Sequence, residues 1–271
     1  MRDPLSRPGR AGNPGRPRVR RVRVGCAGWS IPGRHRALFG EGDSMLARYA
    51  TRFDVVEINS SFYRPHRRET YERWAALVPR GFRFSVKLPR TISHELRLRG
   101  AGPALDRFLG EVEGLGGKLG GLLLQLPPSF AADLRDASNF LRMLRRRSDV
   151  PLAFEPRHPS WFDARVDALF QRHAASRIAA DPARVPAAAR PGEGAGWPYW
   201  RWHGAPRMYY SAYTDDALAQ LAAGVAAVRG TQAPWVIFDN TAHGHAVDDA
   251  TRFQSLAEGR RPARRKERRR A

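Results

Sequence analysis

Cysteine is nearly absent: Cys26 is the only one in 271 residues. No intrachain disulfide can form, and this chain alone can build no thiolate metal cluster. A single cysteine at the end of an apolar run reads as a small buried hydrophobe rather than a nucleophile. Lysine is almost as scarce, since 44 of the 47 basic residues are arginine. Long apolar runs are missing too; none approaches the ~18 residues of a membrane-spanning helix. The opening stretch "MRDPLSRPGRAGNPGRPRVRR" lacks the apolar centre of a signal peptide. These absences predict a cytoplasmic protein.

The formal charge of +21 divides unevenly. Residues 1–23 hold eight Arg and one Asp, and residues 259–271 hold seven Arg, one Lys and one Glu, so two thirds of the excess lies in the two ends. Both ends are poor in large apolar groups and cannot repay their ordering entropy by burial. Segments 1–21 and 259–271 are therefore expected to be disordered basic tails around a domain at 22–258. Such tails can touch nucleic acid through phosphates. The competing explanation is codon bias, which would enrich arginine everywhere.

Hydrophobic residues make up 42% of the chain, enough for a sizeable core. Eight apolar runs read as strands: 22–28, 54–59, 82–89, 121–128, 151–156, 177–182, 199–204 and 235–240. Between them lie stretches of helical period at 44–53, 69–78, 104–115, 137–147, 161–175, 215–228 and 246–257. Strands alternating with helices argue for parallel pairing, and eight units predict one closed (β/α)₈ TIM-like barrel, irregular after strand six, where "ARVPAAARPGEGAGWP" cannot form a full helix. An open doubly wound sheet is the alternative, though no GxGxxG or GxxxxGK[ST] follows any strand.

Several of these strands end in polar residues: Glu57 and Asn59, Lys87, Gln125, Glu155, Asp181, Arg201 and His203, Asp239 and Asn240. In a parallel barrel those ends share the face that carries chemistry. Strand alternation directs Arg201 and His203 one way, and Trp200 and Trp202 the other. Such a ring can be a working site, or an ion network (Glu57 with Lys87, Glu155 with Arg201) that only closes the top of the barrel.

The stretches "VGCAGWS", "EINSSFY", "HELRL", "QLPPSF", "EPRHPSWF", "WRWHG" and "IFDNTAHGHAVDDA" together resemble the YecE-like proteins, known as domain of unknown function 72, over roughly residues 22–257. The resemblance implies a TIM-like barrel and no assigned activity. Its matching positions include Gly28, Trp29, Glu57, Asn59, Phe62, Tyr63, Lys87, His94, Glu95, Gln125, Glu155, Arg157, His158, Trp161, His203, Asp239 and Asn240. Asp239 stands where the family pattern leads one to expect Asn.

The expected function is an enzyme acting on a small polar or anionic substrate, phosphorylated or sugar-like, by acid/base chemistry. Glu155, His203, Lys87 and Glu57 are the candidate catalytic groups. Trp29, Asn59, Tyr63, His94, Gln125, Arg157, His158, Trp161, Arg201, Asp239 and Asn240 are the candidate ligand-binding groups. No cofactor is expected. A divalent metal is the lesser alternative, because no HxH or HExxH occurs and neighbouring Arg and Lys would repel a cation. The alternative function is a non-catalytic barrel that binds a nucleotide or nucleic acid with help from the tails.

Overall fold

The computed structural model describes residues 21–192, 196–228 and 230–259. The expected tails therefore lie outside the described residues, apart from Arg21 and Gly259. Among the described residues there are nine parallel strands and seven α-helices, largely in alternation. The strands are β1 (Arg23–Cys26), β2 (Val55–Ile58), β3 (Arg83–Lys87), β4 (Leu119–Gln125), β5 (Leu152–Glu155), β6 (Ala175–Arg177), β7 (Ala179–Asp181), β8 (Tyr199–Trp202) and β9 (Trp235–Phe238). The helices are α1 (Met45–Tyr49), α2 (Arg68–Ala76), α3 (Gly102–Val112), α4 (Leu134–Arg145), α5 (Ala164–Arg172), α6 (Asp215–Ala227) and α7 (His245–Ala257). Four of them start where a side chain takes up the free N–H groups of the first turn: Ser44, Asp133, Asp163 and Thr214. Between β7 and β8 the described residues hold only a 3₁₀ turn, Pro186–Ala189, as the Pro- and Gly-rich sequence there requires.

One eight-stranded sheet was expected; the strands form two, ordered β1-β9-β8-β7 and β2-β3-β4-β5-β6. Two local features account for the difference. The sixth run breaks at Ile178, so β6 pairs with β5 while β7 pairs with β8. Between β1 and β2 only one bridge forms, Ala27 with Glu57, because the Tyr49 hydroxyl stands in the gap. It accepts from the Cys26 N–H at 2.8 Å and donates to the Val55 carbonyl at 3.0 Å, doing for the two edges what a direct ladder bond would do. The approach is close: a Cβ at Gly25 would lie 2.2 Å from the Val55 oxygen, so glycine is needed there.

Strand alternation sorts the interior into two clusters. Outward residues such as Val56, Phe84, Leu122, Leu124, Phe154, Trp200 and Phe238 pack against the helices. Inward residues from both sheets, Val55, Leu123, Ala153, Tyr199, Trp235 and Ile237, share a second cluster with Ile178 and Trp197. Three aromatic rings floor this inner space. Trp197 lies 5.4 Å from Trp235 and 5.1 Å from Tyr199, and Gly121 admits the Trp197 ring, which a Cβ would meet at 2.1 Å. The next inward residues toward the strand ends are the polar ones.

Candidate active site

Arg201 is the centre of the polar layer. It is wholly buried, and its alternation with Trp200 and Trp202 directs its guanidinium inward, among three carboxylates. Nε and Nη2 donate to Glu57 at 2.9 and 2.7 Å, Nη1 donates to Glu155 at 2.5 Å, and Nη2 also donates to Asp239 at 2.9 Å. The planar fork suits three acceptors arriving from β2, β5 and β9, a geometry that a lysine could not satisfy. Tyr199, two residues earlier on the same face, ties this layer to the aromatic floor. Its hydroxyl donates to Glu57 Oε2 at 3.0 Å and lies 2.9 Å from the Ser85 hydroxyl. Burial and the nearby Glu57 push the Tyr199 hydroxyl well above its ordinary range, so it stays a donor.

Glu155 receives a second guanidinium from Arg157, whose Nε donates at 2.8 Å. Burial alone would raise the Glu155 carboxyl; Arg201, Arg157 and then His203 outweigh it and hold the group well below the usual carboxylate range. Asp239 is lowered in the same way, with burial overcome by Arg201 and His203. His203 Nδ1 lies 3.0 Å from Asp239 Oδ2, and an ionised carboxylate can only accept, so Nδ1 carries the hydrogen. Its Nε2 is buried 3.4 Å from Glu155 Oε1 and has no hydrogen-bond partner among the described residues.

Lys87 ends β3 on this same inner face and is 5% exposed. Its Nζ lies 4.1 Å from the centre of the Phe62 ring and makes no ion pair or hydrogen bond among the described residues. The expected Glu57–Lys87 pair does not form; Glu57 is taken by Arg201. Desolvation, then Arg201, lower the ammonium to about 8, with Glu57, Glu155 and Asp239 pulling the other way. The Phe62 ring also packs edge-on with His94 and Tyr63. His94 lies on a single π-helical turn, Thr91–Glu95, and is lowered to about 4, by burial first and then by Lys87, Arg90 and Arg157, so it is neutral at pH 7. Tyr63 is 75% exposed. Arg157 Nη2 also reaches the Tyr209 hydroxyl at 3.5 Å, and the Tyr209 ring stacks edge-on against His203 at 5.6 Å.

Among the described residues no group of three or more His, Cys, Asp and Glu side chains is arranged to hold a metal ion. The three carboxylates that could do so converge on the Arg201 guanidinium instead. Two cavities lie near the C-terminal ends of the strands, outside the ion layer. One of about 630 Å³ lies beside the ends of β1 and β9, between Gly28, Arg34 and the start of α7. Another, of about 670 Å³, lies outside β8 between Trp200, Trp202 and α6, on the side of the β7–β8 connection, whose described residues form no α-helix. No helix among the described residues is long and apolar enough to cross a membrane.

The family profile described as "Protein of unknown function DUF72" matches residues 23–270. The chain belongs to the DUF72 family. The DUF72 match runs on past residue 257, where the recognisable motifs stop. UPF0759 protein YecE of Escherichia coli K12 is 32% identical over 142 residues, covering 52% of this chain and 50% of YecE. UPF0759 protein YunF of Bacillus subtilis strain 168 is 25% identical over 150 residues, covering 52% of each. In these matches the chain spans about half the length of the curated relatives. The fold match is wider. A crystal structure of a DUF72 family protein from Enterococcus faecalis V583 superposes with a TM-score of 0.73 at 23% identity, over 88% of this chain and 95% of that one. One from Thermotoga maritima MSB8 gives 0.72 at 24%, over 88% and 99%.

In this DUF72 protein the residues named from sequence fall into three groups. Glu57, Glu155, Arg157, Arg201, His203 and Asp239 form the ion layer, with Lys87, His94 and Tyr63 gathered at Phe62 beside it. Asn59 and Gln125 follow Glu57 and adjoin Glu155 in register; Asn59 Oδ1 is buried without a hydrogen-bond partner among the described residues. The others lie outside that layer, in structural contacts of their own. Trp161 is fully buried core, donating to the Phe130 carbonyl at 2.7 Å. His158 caps the turn that Trp161 ends, and Trp29 packs edge-on against Trp74. Asn240 ties the β9–α7 loop to Ser211 and Asp249, and Asp181 accepts from Tyr213 at 2.7 Å. Cys26, buried and pushed up to about 12, is no nucleophile. Sequence reasoning missed Tyr199, Ser85 and Tyr209. The alternation that marked Arg201 and His203 also marks Tyr199; Tyr209 leaves no such signal, because a loop brings it over His203.

Proposed function

We propose that this protein is an enzyme on a (β/α)₈ barrel, which takes a small polar, anionic substrate at the C-terminal mouth and moves a proton with Lys87. The barrel reading is supported by the inner cluster that both sheets share, by the Tyr49 hydroxyl joining β1 to β2, and by the one-residue step at Ile178. The catalytic reading rests on one observation: a buried amine that makes no ion pair among the described residues, beside an ion layer whose hydrogen bonds are made without it.

Both oxygens of Glu57 and Glu155 and the Oδ2 of Asp239 are bonded to Arg201, Arg157, Tyr199 and His203, so these carboxylates set the field and hold the other groups in place. Glu155, held ionised, supplies no proton. Lys87 differs, because a group that titrates near 8 can both accept and give a proton at neutral pH. Arg157 and Arg90 lie near His94, each paired with a carboxylate, Glu155 and Glu95, which an anionic substrate would have to displace.

The test is thermal unfolding of the full chain with and without malonate. Malonate should raise the melting temperature at pH 7. The gain should fade as pH passes about 8, when Lys87 loses its charge, and should disappear in Lys87→Met. Equal stabilisation of both proteins would refute the reading.

A further inference from the structure

We propose that Lys87 is a covalent nucleophile whose Nζ forms an imine with the carbonyl of a small anionic aldehyde or 2-oxo acid. This rests on the reading of the mouth as an anion-binding acid/base site and names the substrate class it would take.

Lysine usage is the first support. Only Lys87, Lys118 and Lys266 occur, against 44 arginines. Where this chain needs a buried cation it uses arginine, as at Arg201 and Arg177. Lys118 is accounted for: its Nζ donates to the Val78 carbonyl at 3.1 Å and to the Pro79 carbonyl, fastening the end of the α2–β3 connection. Lys266 lies outside the described residues. Lys87 is the buried exception, and it does nothing a guanidinium would do better, since it makes no ion pair among the described residues. What an amine can do and a guanidinium cannot is lose its proton and attack a carbon.

Position is the second support. The groups around Nζ come from several elements: Phe62 after β2, His94 after β3, Glu57 on β2, Glu155 on β5, Arg201 on β8 and Asp239 after β9. The three carboxylates are bonded to Arg201, so none of them claims the ammonium as a partner. The aromatic face on which Nζ lies favours the cation without tying it to a base, and burial works against the charged form. An amine so held is available as a free base.

The anionic group of the substrate follows from the rim. Arg157 and Arg90, paired with Glu155 and Glu95, both bear on the neutral His94 imidazole beside Lys87, and the exposed Arg90–Glu95 pair is the one an anion can displace. A carboxylate or phosphate there would leave the carbonyl carbon to meet Nζ. In the reaction the nitrogen lone pair forms the C–N bond while the carbonyl π pair moves to oxygen. Both hydrogens of the neutral amine then leave with that oxygen as water, giving the C=N bond. Neither carbon nor nitrogen needs an outside oxidant or reductant.

Glyoxylate is the probe, since it is the smallest anionic aldehyde. The full chain is incubated with glyoxylate and cyanoborohydride at pH 8, and adducts are located by peptide mapping. Lys87 should be reductively alkylated on the order of tenfold faster than Lys118, because a larger share of Lys87 is unprotonated at that pH. Malonate should slow labelling at Lys87 alone, and Lys87→Arg should remove that adduct while leaving those at Lys118, Lys266 and the α-amino group. Labelling of Lys87 no faster than Lys118 overturns the proposal. If malonate stabilisation still fades near pH 8 in that case, the covalent step fails alone and the acid/base reading survives.

Discussion

Replacing Lys87 with methionine should make the protein more stable. The lysine ammonium sits at about 8 in the fold against 10.5 for the free group. Folding therefore disfavours the proton, and a drop of that size corresponds to about 3 kcal/mol at pH 7. Methionine keeps the length and apolar stem of the side chain, removes the buried charge, and gives up only an amine–aromatic contact worth roughly 1 kcal/mol. The net gain should be about 2 kcal/mol. The sign with pH is equally specific. Between about 8 and 10.5 the unfolded chain binds the Lys87 proton more tightly than the folded one. Wild-type stability should thus rise across that window relative to the variant, whose stability lacks this contribution. Urea unfolding of both proteins at pH 7, 8.5 and 10 measures the difference directly, since every other titrating group is common to both. A variant less stable than wild type at pH 7, or a difference that does not shrink toward pH 10, would show that Lys87 is a structural partner and would refute the reasoning.

Arg201→Met should act in the opposite sense, costing ~3–5 kcal/mol at pH 7 by orphaning Glu57, Glu155 and Asp239. Because Glu155 and Asp239 are lowered in the wild type, their stabilisation is present above the usual carboxylate range and lost as pH falls through the lowered values, so the gap between the two proteins should narrow on acidification; denaturation from pH 7 to pH 3.5 checks this. Tyr199→Phe removes the hydroxyl that joins Glu57 to Ser85 and should cost ~1–3 kcal/mol in the same assay. Trp161→Ala should cost ~3–5 kcal/mol through the cavity it leaves, while malonate stabilisation persists; loss of that stabilisation with little loss of stability would make Trp161 a pocket wall after all.

The helices were legible because their apolar faces repeat with helical period and four begin at capping residues, so α4, α6 and α7 start and stop within a few residues of the expected places. The sixth strand was not. It runs from Ala175 to Asp181 with a change of partner at Ile178, and nothing in "ASRIAAD" marks the residue at which a strand leaves one neighbour for another. His158 and Trp161 fall outside the ion layer for a different reason. "EPRHPSW" places them within six residues of Glu155, but the chain turns away after Arg157, and nearness in sequence past a strand end says little about nearness in space.

What the sequence determined by itself is the set of polar strand ends and the face they share, since side chains alternate along any strand and a parallel sheet brings all its C-terminal ends to one side. It also determined that Arg201, flanked by Trp200 and Trp202, must be an inward charge. The division of labour inside the polar layer was decided only by the tertiary structure. Glu57 could have paired with Lys87 as readily as with Arg201 on sequence grounds. The choice depends on register and strand tilt, which bring the Arg201 fork within 2.5–2.9 Å of three carboxylates from β2, β5 and the end of β9. A planar group with several donors satisfies those acceptors together, and Lys87 is left over against Phe62 with its proton loosely held. Charge pairing over a few ångströms among buried groups is set by distances that no local pattern encodes.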